Sequence, residues 1–267
     1  MGSARRMSGA GVLVRLGRMK RFRVQRQGPP GAAETWEKWL GFEPDARQAD
    51  LLRRPVHRLL LNCSRQWGKS TITAAKAVER ARVRPESLTL VVSPSARQSG
   101  EFLRKAKAMV RRMGMRPRGD GDNEISLLFG NGSRIVGLPG KEETVRGFSA
   151  VSLLLIDEAA RVEDSMYYSV RPMLAVGNGD LWLMSTPYGK RGFFWEEWSK
   201  GEGWEKVAVP AAQNARITAQ FLAEERRAMG ERWFRQEYCC EFVETQDAMF
   251  TREMVERAIT RDVKPLF

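Results

Sequence analysis

The stretch that decides the fold is residues 63–71, which read CSRQWGKST. An apolar run typical of a buried strand, residues 56–62, comes directly before it, and a predicted helix at residues 72–84 follows. A polar turn between a strand and a helix is the context of a phosphate-binding loop, in which backbone N–H groups and the helix N-terminus surround phosphate oxygens. The sequence therefore predicts a nucleotide-phosphate site here.

The Gly-Lys-Ser sequence at residues 68–70 assigns roles within this loop. Lys69 is placed to reach the β and γ phosphates of a nucleoside triphosphate, and Ser70 to bind Mg²⁺. Gly-Lys-Ser alone occurs by chance in many chains, and the full pattern has glycine where Cys63 stands, so this loop must turn without it. We expect eight loop residues to contact the nucleotide: Ser64, Arg65, Gln66, Trp67, Gly68, Lys69, Ser70 and Thr71.

A second motif lies at residues 153–158, where the apolar strand LLLI ends in Asp157 and Glu158. Carboxylates at the carboxyl edge of a parallel sheet lie beside the phosphate loop. Asp157 can complete the Mg²⁺ shell, and Glu158 can orient and deprotonate the attacking water. The alternative is a solvated acidic pair at a strand end, which the upstream Gly-Lys-Ser sequence disfavours.

Four further residues are candidates for contact with a nucleotide. Phe42 and Gln48 can stack on adenine and hydrogen-bond to it; the alternative is a core aromatic residue and a surface amide. Ser185 and Thr186 end the next predicted strand before Pro187, so their hydroxyls are candidates to sense the γ-phosphate. An ordinary turn before proline is the alternative for this pair.

The order of predicted elements gives the fold class. Strands at residues 56–62 and Leu88–Ser93 alternate with helices at 72–84 and 96–113, which is typical of a parallel sheet. We therefore expect an α/β fold of the P-loop NTPase type, a mostly parallel central sheet flanked by helices. Further strands are predicted at 125–129, 134–138, 151–156, 181–185 and 207–209, with a hairpin turn at 131–132, and further helices at 35–40, 159–175, 193–200, 218–229, 231–237 and 251–259.

The composition excludes several classes of protein. The 267 residues carry a net charge of +13, and residues 1–30 hold eight basic side chains and no acid. Residues 1–31 are therefore predicted to be a basic leader, which is a solvated segment, an arm that binds nucleic acid or a transit peptide. Three cysteines and one histidine exclude a disulfide framework and disfavour a zinc site, and no apolar run approaches the ~20 residues of a membrane span.

Together these motifs resemble the ATPase domain of the terminase large subunit, the DNA-packaging motor of tailed phages. The family's variant loop resembles residues 64–70, its acidic motif resembles residues 156–160, and its coupling motif resembles residues 185–187. Arg146-Gly147, residues 92–94 with Gln98, and residues 236–242 match further family segments in the same order. The resemblance covers roughly residues 35–250.

The resemblance implies a function and a set of partners. It implies ATP hydrolysis with Mg²⁺ that drives double-stranded DNA into a procapsid, by a ring of copies on a portal served by a small terminase subunit. It places the protein in the cytoplasm of the bacterial host, docked transiently on the procapsid and without a membrane. Arg65 is implied to touch the γ-phosphate, and Arg146 to act as an arginine finger on the neighbouring subunit's nucleotide. A loop ion pair with Glu142 or Glu143 is the alternative for Arg146.

The resemblance also leaves differences and rival functions. Full-length family members continue into an RNase H-like nuclease domain, for which this sequence stops too soon, so we expect no nuclease activity. We expect a shortened chain, one polypeptide of a split protein or an incomplete gene, with the ATPase domain at 32–245 and an extension at 246–267. A helicase-like P-loop ATPase and a basic DNA-binding module with a vestigial nucleotide site remain the alternatives.

Overall fold

The computed structural model of the chain describes residues 33–139 and 147–244, together with residues 254, 257 and 258. The predicted leader at 1–31, Arg146 and all of the extension except those three residues lie outside this part of the chain. In the described part, no helix combines the length and the apolar character needed to cross a membrane.

The centre of the fold is a seven-stranded sheet in the order β3-β4-β2-β5-β6-β1-β7. Among the strand pairs of the described residues, only β3–β4, at the hairpin predicted from residues 131–132, is antiparallel. The predicted mostly parallel α/β fold is therefore confirmed. The strands are β1 (Arg58–Cys63), β2 (Leu88–Ser93), β3 (Ser126–Leu128), β4 (Arg134–Pro139), β5 (Val151–Asp157), β6 (Asp180–Ser185) and β7 (Glu205–Val209).

Helices cover both faces of this sheet. They are α1 (Ala33–Leu40), α2 (Ala46–Arg53), α3 (Lys69–Val83), α4 (Ala96–Arg112), α5 (Asp164–Val170), α6 (Gly192–Ser199) and α7 (Ala219–Cys239). Helix α7 is interrupted at Gly230, whose backbone is non-helical, as the two predicted helices at 218–229 and 231–237 require.

The single helix predicted at 159–175 is wrong. Residues 159–161 and 171–174 form short 3₁₀ helices on either side of α5, and Val162 and Glu163 are extended between them. Glu158, directly before this segment, is in the left-handed region, with φ 53°. The break turns the chain sharply just after the acidic pair.

The core has two layers, one on each face of the sheet. Successive residues of β1 separate between them, with Leu59 and Leu61 in the layer that contains α1–α4 and Leu60 in the layer that contains α5 and α6. This follows from the two-residue period of a strand that is buried on both faces. Because β5, β6 and β1 are adjacent and parallel, their carboxyl ends meet at one edge, where Asp157, Ser185 and the loop after Cys63 lie together.

Candidate nucleotide-binding site

The phosphate-binding loop, residues 64–68, joins the end of β1 to the start of α3. Two of its residues have positive φ, Gln66 at 65° and Gly68 at 97°. Gly68 is the residue before α3, and no side chain caps that helix, so its first N–H groups face the loop. The φ of 97° at Gly68 is one that residues with a side chain rarely adopt, which favours glycine here.

Trp67 and Gln48 hold the loop against the start of α2. The Trp67 indole is buried and its Nε1 donates to Asp45 Oδ2 at 2.9 Å. Gln48 Nε2 donates to the Trp67 carbonyl at 2.7 Å, and Gln48 Oε1 accepts from the Asp45 backbone N–H at 3.0 Å. Both side chains therefore brace the loop from within the protein, and the predicted contact of Gln48 with adenine stays a prediction.

Two residues that the sequence analysis did not select also contact this loop. Arg216 Nη2 donates to the carbonyls of Gln66 and Trp67 at 3.4 and 2.7 Å, and Asn214 Nδ2 donates to the Gln66 carbonyl at 3.4 Å. The Arg216 guanidinium carbon lies 5.9 Å from the centre of the Phe42 ring. Phe42 itself lines a hollow with Glu37, Lys38 and Gly41. It does not line the cleft that contains Lys69 and Glu158.

The acidic motif lies beside the loop, as the parallel topology predicted. Lys69 Nζ is 3.0 Å from Glu158 Oε1, and the Ser70 hydroxyl donates to Asp157 Oδ1 at 3.3 Å. Burial raises the pKa of Asp157, as does the neighbouring Glu158 charge, while Lys69 and Ser70 oppose the shift. The two motifs therefore form one charged cluster at the sheet edge.

Glu158 is held in a strained backbone conformation. Its φ and ψ of 53° and 43° cost a non-glycine residue on the order of 1–2 kcal/mol. Its N–H donates to Asp157 Oδ1 at 3.1 Å, and Arg161 Nη1 lies 3.3 Å from its Oε2. The carboxylate thus sits between two cations, Lys69 and Arg161, and such strain is typical of functional sites.

The Arg65 side chain points towards α7. Its Nε donates to Glu237 Oε2 at 2.5 Å, and this contact raises the pKa of Arg65. Glu237 is buried, and Arg161 Nη2 approaches its other oxygen to 3.5 Å. Glu237 thereby links the phosphate-binding loop to the segment after Glu158. The sequence feature that could have identified Glu237 as a site residue is its position in the stretch 236–242, which resembles a family segment. The implied contact of Arg65 with a γ-phosphate stays a prediction.

The predicted sensor pair lies at the same edge. Ser185 and Thr186 are buried, and Ser185 Oγ accepts from the Ala160 N–H at 3.2 Å. Just beyond them, the Tyr188 ring carries the guanidinium of Arg161 at 4.6 Å from its centre. The loop after β6 therefore contacts the segment that positions Glu158.

A cleft of about 550 Å³ lies between these elements, within the size range of ligand sites. Its lining is strongly cationic: Arg65, Lys69, Lys105, Arg161 and Arg216 face it, with Glu158 as the acid. Such a lining suits a polyphosphate. The paired Ser70 hydroxyl and Asp157 carboxylate are hard oxygen donors that fit Mg²⁺, which commonly takes its remaining ligands from water and substrate phosphates.

Comparisons with known proteins identify one family. Residues 60–257 match the family model described as terminase large subunit, T4-like virus type, N-terminal. The terminase large subunit of Escherichia phage T5 is 25% identical over 216 residues, which cover 76% of this chain and 48% of that protein. That of Thermus phage G20c is 25% identical over 249 residues, covering 79% and 51%. The chain therefore spans about half the length of these relatives.

Solved structures share the fold. The large terminase ATPase domain of Thermus phage P74-26 superposes with a TM-score of 0.69 at 21% identity, covering 82% of this chain and all of that domain. The large terminase of a thermophilic bacteriophage in complex with ADP gives 0.59 at 14% identity, covering 79% and 53%. With a family match that extends over most of the sequence, the chain belongs to the terminase large-subunit family, within the region that forms its N-terminal part.

Proposed function

We propose that this domain hydrolyses ATP as the motor of a terminase large subunit. The observation that carries the proposal is the double contact at the sheet edge, Lys69 with Glu158 and Ser70 with Asp157. In these contacts the first two residues of α3, directly after the phosphate-binding loop, lie within 3.3 Å of the two acids that a nucleotide hydrolase is expected to use. The cationic cleft around them supports a triphosphate as the ligand.

The loop and its lysine bind the phosphates. The backbone N–H groups at the start of α3 and the Lys69 ammonium orient and neutralise the phosphate oxygens. Ser70 and Asp157 would hold Mg²⁺, which supplies further neutralisation of the phosphate charge when it is bound. Arg65, whose side chain is 61% exposed, reaches the γ-phosphate in this proposal by exchanging its contact with Glu237.

Glu158 acts as the general base. Its Oε atoms take the proton of a water that attacks the γ-phosphorus in line, and the bond to the β–γ bridging oxygen breaks. Arg161 and Lys69 fix the orientation of this carboxylate before the reaction. Thr186, which lines the cleft, is placed to sense the γ-phosphate, and Ser185 connects that position to the backbone after Glu158.

The proposal includes double-stranded DNA as the molecule that is moved. The net charge of +13 and the family membership support it. The further partners are other copies of the chain in a ring, a portal and a small terminase subunit, and the site of action is the host cytoplasm at a procapsid. Arg146 completes the neighbouring subunit's site in this arrangement.

The test is ATP turnover, with and without DNA, by the parent chain and by Lys69→Ala. We expect turnover in the parent and a severe loss of both ATP binding and turnover in Lys69→Ala, because the phosphates lose their main cation. Arg227→Ala removes an equal charge from the exposed surface of α7 and should behave as the parent. Absence of turnover in the parent under all of these conditions would support a DNA-binding module with a vestigial nucleotide site.

A further inference from the structure

Two consecutive carbonyls of the phosphate-binding loop, those of Gln66 and Trp67, are held by side-chain hydrogen bonds. The Gln66 carbonyl accepts from Asn214 Nδ2 and Arg216 Nη2, both at 3.4 Å. The Trp67 carbonyl accepts from Arg216 Nη2 and from Gln48 Nε2, both at 2.7 Å. Three side chains from two distant parts of the chain therefore fix the direction of two neighbouring peptide units.

The direction of a carbonyl also sets the direction of the next N–H group. In a planar trans peptide unit, the C=O of one residue and the N–H of the next point in opposite directions. Because Arg216 Nη2 donates to both the Gln66 and the Trp67 carbonyls, the N–H groups of Trp67 and Gly68 both point away from it. Among the described residues, no backbone or side-chain acceptor receives either of these N–H groups. Consecutive N–H groups that point to one side form an anion-binding concavity.

We infer that Asn214 and Arg216 form a clamp on these two carbonyls that pre-orients the Trp67 and Gly68 N–H groups for phosphate. Asn214 is a positioning residue, and Arg216, which also lines the cleft, positions the phosphates through the loop backbone. The inference rests on the proposed nucleotide site. Pre-orientation of this kind strengthens binding because the loop does not have to order as the ligand arrives.

The clamp is itself held rigidly. Asn214 is buried, at 3% exposure, and its Oδ1 accepts from both the backbone N–H and the Nε of Arg216, at 3.2 and 3.3 Å. The segment follows β7, where the Val209 carbonyl accepts the Ser64 N–H at 3.0 Å. The start of the loop at Ser64 and its later residues Gln66 and Trp67 are therefore all bonded to the end of β7 or to the connection between β7 and α7.

A different role for Arg216 makes a different prediction. Its guanidinium lies 5.9 Å from the Phe42 ring centre, so it could instead contact a nucleobase. A nucleobase contact would affect ligands that carry a base and leave a bare polyphosphate unaffected. A clamp on the phosphate-binding backbone would affect both to the same degree.

The experiment compares the dissociation constants of ATP and of inorganic tripolyphosphate for the full chain and its variants. We expect Arg216→Ala to weaken both ligands by a similar factor of about tenfold or more, the size of a lost charge-assisted hydrogen bond. Asn214→Ala should weaken both in the same direction without any change of charge. Arg227→Ala, which removes an exposed arginine of α7, is the matched control and should bind as the parent does.

Two further measurements separate the clamp from charge and from misfolding. Arg216→Lys keeps the charge but has its donors on one nitrogen, so it should recover only part of the affinity. The NMR signals of the Trp67 and Gly68 amides should shift in both alanine variants while the thermal unfolding midpoint stays near that of the parent.

Several outcomes would overturn the clamp. They are a loss for ATP with tripolyphosphate unchanged, full recovery with lysine, or parent-like affinity for both ligands in either alanine variant. Failure of the parent chain to bind either ligand would instead overturn the proposed nucleotide site, and the clamp with it.

Discussion

The two walls of the nucleotide cleft hold their charges in different ways. The inner wall, formed by Lys69, Ser70, Asp157 and Glu158, has short side-chain contacts between the start of α3 and the end of β5. The rim, formed by Arg65 and Arg216, consists of long arginines that depend on segments far along the chain from the loop, since Arg65 contacts Glu237 and Arg216 itself lies after β7, beside Asn214. The contacts of the two acids are therefore local to the sheet edge, whereas the geometry of the loop depends on distant segments.

The strongest challenge to this comparison comes from Arg146, which the resemblance implies to be an arginine finger. Arg146 lies outside the described residues, and an arginine finger is worth roughly 10³–10⁵ in rate. We therefore expect Arg146→Ala to keep ATP binding and to lose turnover by a factor in that range. The measurement is steady-state turnover alongside the ATP dissociation constant.

Mixing variants tests whether this arginine acts between subunits. Arg146→Ala keeps an intact pocket and Glu158→Gln keeps an intact finger, so a mixed assembly should recover part of the activity. No recovery in an assembly shown to be mixed would reject the action in trans. Full activity of Arg146→Ala alone would reject any catalytic role.

Arg161 lies between the inner wall and the rim, and Arg161→Ala tests whether Glu158 depends on it for its position. The side chain contacts Glu158, Glu237 and the Tyr188 ring. Loss of this positioning should lower kcat by about 10-fold to 100-fold, because a misplaced general base is costly even when it is present. Affinity for ADP should change little, since Lys69 and the loop amides remain. Arg171→Ala, at an exposed arginine further along the same segment, is the control.

Alanine substitutions at two glycines separate the effect of the loop backbone on ATP binding from the general effect on stability. Gly68 and Gly203 both have positive φ, 97° and 72°, but only a Cβ at Gly68 would meet neighbouring atoms, Gln48 Nε2 at 3.4 Å among them. Alanine at either position should lower the free energy of unfolding by on the order of 1–2 kcal/mol. Only Gly68→Ala should also weaken ATP binding. Equal ATP affinity in the two variants would contradict the account of the loop.

The inner wall was predictable from sequence because its residues lie at strand ends. Once β1 and β5 were recognised as parallel strands, Lys69 and Glu158 had to meet at the same sheet edge. The rim was not predictable in this way. Arg65 and Glu237 are separated by 172 positions, and no periodicity in either segment indicates that they pair.

The broken helix after Glu158 was also not predictable from the sequence pattern. Val162 and Glu163 are extended and separate the 3₁₀ helix at 159–161 from α5, so the segment does not continue as one helix. Gln48 also differs from its simplest interpretation, since its amide is buried against Trp67 and Asp45. These contacts depend on the three-dimensional path of the loop, and the predicted contact of Gln48 with adenine stays a prediction.

The most direct test of the account is ATP turnover by Glu158→Gln at an ATP concentration that saturates the measured binding. The account predicts parent-like ATP binding with turnover lower by roughly 10²–10⁴-fold, because only the proton-accepting carboxylate is changed. Glu163→Gln, an exposed neighbour on the same segment, should turn over ATP as the parent does. Turnover at the parent rate in Glu158→Gln would contradict the assignment of the general base. It would also contradict the division of the cleft into an inner wall that carries the chemistry and a rim that positions the loop.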